Sequence, residues 1–157
     1  MSTEGINMAP VEGAEWQGET RLLRIAPQEI EHVWDLVKVD LEACIALQQG
    51  EITLEQARLM VIQGNITLVV IAKPNSEILM TIAVTVEQAA QYSTLSVFAA
   101  AGERVKYCFE KHWNDLAMLA KSFGCKFIEV HATTEAHARL YTGLGFKKNY
   151  LNLRREV

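Results

Sequence analysis

Residues 66–73 and 78–87 are two runs rich in Val, Ile and Thr, separated only by Pro74-Asn75-Ser76-Glu77. β-Branched residues fit a pleated, half-buried surface, and Pro-Asn-Ser between two such runs is a hairpin signal. A third run, residues 94–101, continues the pattern and predicts an antiparallel meander. On both sides of this block the apolar spacing changes to three and four, the period of an amphipathic helix. A chain with a strand meander between helical segments must form a mixed sheet with helices packed on it, and all-helical and all-strand folds are excluded.

Residues 21–25 read as a first short strand. Pro27 then sits where the first helical turn tolerates it, and Ile30, Val33, Trp34, Val37, Leu41, Cys44 and Ile45 mark one helix face that is expected to run to near Gly50. Thr53 and Gln56 have the spacing of a capping box, which predicts a second helix stopped by Gly64. Beyond the meander, Val105, Phe109, Trp113, Leu116, Ala120 and Phe123 predict one long helix over 103–123 with Gly124 as its stop. A strand at 126–132, a short helix at 134–144 and a last strand at 147–154 complete the order βααβββαβαβ. The expected architecture is α/β (α+β), a mixed sheet of about six strands with four helices. The helix crossover makes strands 94–101 and 126–132 parallel neighbours.

Residues 1–20 differ from the rest. They hold Glu4, Glu12, Glu15 and Glu19 and no Lys or Arg, so the remaining 15 acidic residues balance all 15 basic ones and the net charge of -4 belongs to this segment. The expectation is an acidic N-terminal arm, 1–20, ordered by a protein partner or a second copy, in front of one domain at 21–157. The acidic balance gives no footprint for nucleic-acid backbone. No apolar run approaches the ~20 residues of a membrane span, and the N-terminus lacks the basic start of a signal peptide. Cys44, Cys108 and Cys125 cannot all pair with one another and show no CxxC spacing. They fit a reducing compartment such as a cytoplasm. Cys108 and His112 lie four apart, but no further ligands accompany them, so no metal site is expected.

The element order, together with Gly124-Cys125 and Arg139-Leu140-Tyr141-Thr142-Gly143-Leu144-Gly145-Phe146, resembles the GNAT superfamily of N-acetyltransferases over roughly residues 21–155. The resemblance implies that acyl-CoA lies where strands 94–101 and 126–132 splay, with its diphosphate on the N-terminus of the following helix. Ala101, Gly102, Arg104, Lys106 and Thr134 would then be the cofactor-binding positions. Tyr141 would be the general acid toward the thiolate, and Glu87 the carboxylate base, with His131 the imidazole alternative. The family's glycine cradle is missing, however. The stretch is Gly102-Glu103-Arg104-Val105-Lys106-Tyr107-Cys108, where bulky side chains and a carboxylate occupy the helix start. Backbone amides can hold a diphosphate only where it can approach them. Thr134 also suits a helix N-cap, and His137 stands where a small residue would leave the channel open.

A second resemblance runs through Trp34, Glu51-Ile52-Thr53-Leu54-Glu55, Gly124-Cys125, Ile128-Glu129, Ala138-Arg139-Leu140 and Leu153-Arg154-Arg155-Glu156. These stretches are similar to GNAT-like proteins encoded among the virion-structure genes of tailed bacteriophages. That resemblance implies a scaffold or assembly component in the host cytoplasm or the virion, with no cofactor. The alternatives are an active acetyl-CoA-dependent N-acetyltransferase and an inhibitor acting on a host protein through its acidic surface.

Overall fold

The computed structural model describes residues 8–10, 15–47, 51–75, 77–151 and 153–157. The described strands are β1 (Met8–Pro10), β2 (Arg21–Ile25), β3 (Thr67–Ala72), β4 (Ile78–Gln88), β5 (Ser93–Gly102) and β6 (Phe127–Val130). The described helices are α1 (Ile30–Ile45), α2 (Leu54–Ile62), α3 (Val105–Lys111), α4 (Trp113–Ser122) and α5 (Glu135–Gly143). The strands lie in one sheet in chain order, antiparallel from β1 to β5 and parallel between β5 and β6. The mixed sheet with helices on it is the expected architecture.

Two apolar clusters sandwich the sheet. On one face Ile30, Val33, Val37 and Leu41 of α1 and Ala57 and Val61 of α2 cover Leu68, Val70, Ala83 and Ala99. On the other, Cys108, Phe109, Leu116 and Leu119 of α3 and α4 cover Val69, Ile71, Ile82, Leu95 and Val97, with Tyr141 and Leu144 against the margin. β3 from Leu68 onward and residues 79–84 of β4 are buried without a break because both faces are covered there, so strict alternation is lost. The capping box forms as read: the Thr53 hydroxyl accepts from the Gln56 N–H at 3.1 Å, and the Thr53 N–H donates to Gln56 Oε1 at 2.8 Å.

Several sequence expectations are corrected. Helix α1 stops at Ile45, short of Gly50, which lies outside the described residues. The single helix expected over 103–123 is two helices broken at His112 (φ -111°, ψ 18°), where the buried imidazole makes contacts described below. The final strand at 147–154 is absent among its described residues, which are exposed. In that stretch Lys147, Asn149, Leu151 and Leu153 would share one side and Lys148, Tyr150 and Arg154 the other. Neither side is apolar enough to fix a register against the sheet.

The sixth strand comes instead from the N-terminal arm. Met8–Pro10 pairs antiparallel with β2, Ala9 opposite Arg24. Further along, Thr20 is 5% exposed and its hydroxyl lies 2.8 Å from His112 Nε2, while His112 Nδ1 lies 3.0 Å from Asp115 Oδ2. The described parts of the arm are thus attached to the body; residues 1–7 and 11–14 lie outside the described residues.

Candidate functional site

The parallel β5–β6 pairing spans only Thr94–Val97 against Phe127–Val130. At its end β5 carries a bulge. Val97 pairs with Val84 and Ala99 with Ala83, so Phe98 is an extra residue in the ladder. A bulge bends its strand and raises local twist, and here it turns Phe98–Gly102 away from β6. The resulting cleft is lined by Cys44 of α1 and Leu47 just beyond it, by Val97–Ala100, by His131 and Thr133 after β6, and by His137 and Tyr141 of α5. Its volume is about 30 Å³, room for roughly two water molecules.

Tyr141, the general acid that the resemblance implies, is among the residues lining this cleft. Its ring packs edge-on against Phe109 and Phe146, with centroids 5.9 and 5.8 Å apart. Burial, reinforced by the neighbouring Cys44 thiol, raises the Tyr141 hydroxyl pKa above the ordinary phenol value. The hydroxyl therefore keeps its proton and is a weaker acid than a solvated tyrosine. His131 is also at the cleft, its Nε2 3.1 Å from Ser96 Oγ. Glu87 is not: it is exposed near the far end of β4, opposite Thr94, where β5 is still paired with β6. It is a solvated strand end with no route to the cleft.

Of the remaining predicted cofactor positions, all but Lys106 have a local structural role. A Cβ on Gly102 would lie 2.3 Å from the Leu79 carbonyl oxygen and 2.7 Å from Met80 Cα, and its φ of +141° favours glycine. Neighbouring backbone thus demands this glycine with no ligand involved. The Glu103 N–H, which might have met a phosphate, donates to the Leu79 carbonyl at 2.8 Å. Arg104 is left-handed (φ 57°) at the start of α3, and its guanidinium sits 4.1 Å from the Tyr107 ring centre. Lys106 is exposed, and Ala101 pairs with Thr81 at the edge of the α1 layer. Thr134 is an N-cap, its hydroxyl accepting from the His137 N–H at 3.1 Å. These groups do not form a diphosphate cradle: the Glu103 N–H is taken by the Leu79 carbonyl and the Thr134 hydroxyl by the His137 N–H, so the residues present do not fit the diphosphate of acyl-CoA.

Cys108 and His112 are not a ligand pair. The Cys108 thiol lies 3.9 Å from the Glu103 carbonyl, while His112 contacts Asp115 and Thr20. Among the described residues no group of three or more His, Cys, Asp or Glu is placed to hold a metal.

Two groups beside the cleft were not singled out as functional in the sequence. The Cys44 thiol donates to the Ala100 carbonyl at 3.5 Å, and its pKa is raised, first by burial and then by the nearby Asp40, against the lowering effect of that hydrogen bond. Burial likewise raises Asp40, partly offset by the Thr81 hydroxyl donating to its Oδ2 at 3.2 Å, while Glu103 adds to the rise. Their i, i+4 spacing on α1 was visible, but Cys44 reads as one more apolar-face residue and Asp40 as solvated until the helix is docked on β5.

Solved structures that superpose on this chain include several acetyltransferases. An aminoglycoside acetyltransferase from an uncultured soil metagenomic sample superposes with a TM-score of 0.64 at 17% identity, covering 89% of this chain and 99% of that one. Glucosamine-6-phosphate N-acetyltransferase from Arabidopsis thaliana gives 0.56 at 15% identity over 88% and 99%. A Trypanosoma brucei acetyltransferase gives 0.54 at 13% over 88% and 100%. No protein-family model and no curated protein matches the sequence. The chain therefore has the GNAT acetyltransferase fold, shared at low identity. Among the described residues no helix is long and apolar enough to cross a membrane.

Proposed function

We propose that this protein uses the GNAT fold as a binding or assembly scaffold without acyl transfer, of the kind encoded with tailed-phage virion proteins. The observation that carries the reading is the engagement of the Glu103 N–H by the Leu79 carbonyl at 2.8 Å, which takes away a backbone donor where a diphosphate would have to sit. The crowded start of α3 supports it, as does the second sequence resemblance. A partner contact through the acidic arm belongs to the same proposal but is weakened, since β1 and Thr20 already bind the body of their own chain. A more available surface is the C-terminal stretch, where Tyr150, Leu151 and Leu153 are exposed beside Lys147, Lys148, Arg154 and Arg155.

One observation favours the enzyme alternative: Tyr141 lies on the cleft next to the bulged strand, the position from which a general acid would work. Calorimetric titration with acetyl-CoA separates the two readings. The scaffold reading expects no saturable heat. Micromolar binding, with turnover that falls in Tyr141→Phe while binding persists, overturns it.

A further inference from the structure

A second cavity, of about 140 Å³, opens on the helical face of the molecule and is lined by Phe109, Glu110, Trp113, Gly143, Leu144 and Phe146. It lies toward the C-terminal ends of α3 and α5, whereas the β5–β6 cleft includes Thr133 and His137 near the start of α5. Its aromatic walls are braced: Trp113 and Phe146 meet edge to face at 5.5 Å, and Phe146 in turn meets Tyr141. For scale, an apolar cavity of ~150 Å³ accepts a benzene molecule, so the space takes a compact group of about six heavy atoms.

Three features make this cavity attractive to a cation. Aromatic rings carry negative faces that bind ammonium groups, most strongly at Trp. Glu110, exposed at the rim, adds a carboxylate. Gly143 is the last residue of α5, so the negative end of that helix dipole lies at the wall. The lining also discriminates among cations. A primary ammonium would give up strong hydration for few acceptors, whereas a methylated ammonium has little hydration to lose and presents methyl groups to the rings.

We propose that this cavity is a binding site for a quaternary, trimethylammonium-type group. Trp113 and Phe146 supply its π contacts, the buried Phe109 and half-buried Leu144 its apolar floor, and Glu110 and the end of α5 its negative potential. The inference is independent of the scaffold reading, because none of these residues lines the β5–β6 cleft.

The test follows the Trp113 indole N–H by ¹H–¹⁵N NMR, assigned with Trp113→Phe, during titration with choline and with its uncharged isostere 3,3-dimethylbutan-1-ol. Sodium chloride at matched ionic strength is the control. Saturable shifts with choline are expected, with affinity at least about five-fold above that of the alcohol. Glu110→Gln should weaken choline several-fold and leave the alcohol unchanged; the residue is exposed, so the variant should fold. Equal affinity for both probes, equal choline affinity in Glu110→Gln, or shifts no larger than those with sodium chloride would each overturn the proposal.

Discussion

The two halves of β5 have different tasks although one unbroken strand, Ser93–Gly102, carries both. Thr94–Val97 is paired on both edges and buried, whereas Phe98–Gly102 has parted from β6 and keeps only its ladder to β4. The first half is core. The second borders the cleft and leads into the start of α3, where Gly102 and the Glu103 N–H are engaged by Leu79 and Met80. A position that family resemblance assigns to a ligand can thus be held in place by the neighbouring strand alone.

The sharpest way to break this comparison is Gly102→Ala. Overlap with backbone at 2.3 Å cannot be relieved by a side-chain rotation, so a loss on the order of 4 kcal/mol is expected in urea unfolding. If Gly102 served only to admit a ligand, the variant would unfold like the parent. His112→Ala comes next. It leaves the Asp115 carboxylate, 2% exposed, without its partner and releases Thr20, for an expected cost of about 3–5 kcal/mol. The accompanying sign is faster proteolysis near residues 15–20.

Smaller effects sharpen the assignment of α5. Thr134→Ala removes an N-cap and should cost ~1 kcal/mol, while Thr134→Ser restores it; a loss in both variants would argue against capping. The smallest effect concerns Asp40. Because its folded pKa is raised, the folded state binds the extra proton, so stability falls as pH rises through the window between the unfolded and folded values. The penalty is complete above that window. Asp40→Asn should flatten this slope in thermal melts between pH 3 and pH 7, taken as a span of about four units around the ordinary carboxylate pKa. It should also leave the protein at least as stable at neutral pH. An unchanged slope would remove Asp40 as its source.

Legibility differed between elements for physical reasons. The Thr53–Gln56 capping box, the 66–88 hairpin and the Gly124 stop depend on residues a few positions apart, and each formed as read. The end of α5 was legible because the Gly143–Gly145 motif joins a helix end to a turn, with Gly145 at φ +95°. The break at His112 was hidden, since the periodicity of 105–123 is unbroken and the groups that engage the imidazole include Thr20, which is distant in sequence. The edge strand at Met8–Pro10 was hidden as well, because an edge needs only backbone pairing and leaves little trace in side-chain pattern.

By itself the sequence determined the alternation of strand and helix and the parallel crossover between β5 and β6, because periodicity, caps and turn residues act over a few positions. Tertiary structure decided which segment became the sixth strand, what occupies the cleft, and why Gly102 is glycine. Those outcomes depend on distances between residues far apart in the chain, which are set only when α1, β4 and α5 are packed on β5.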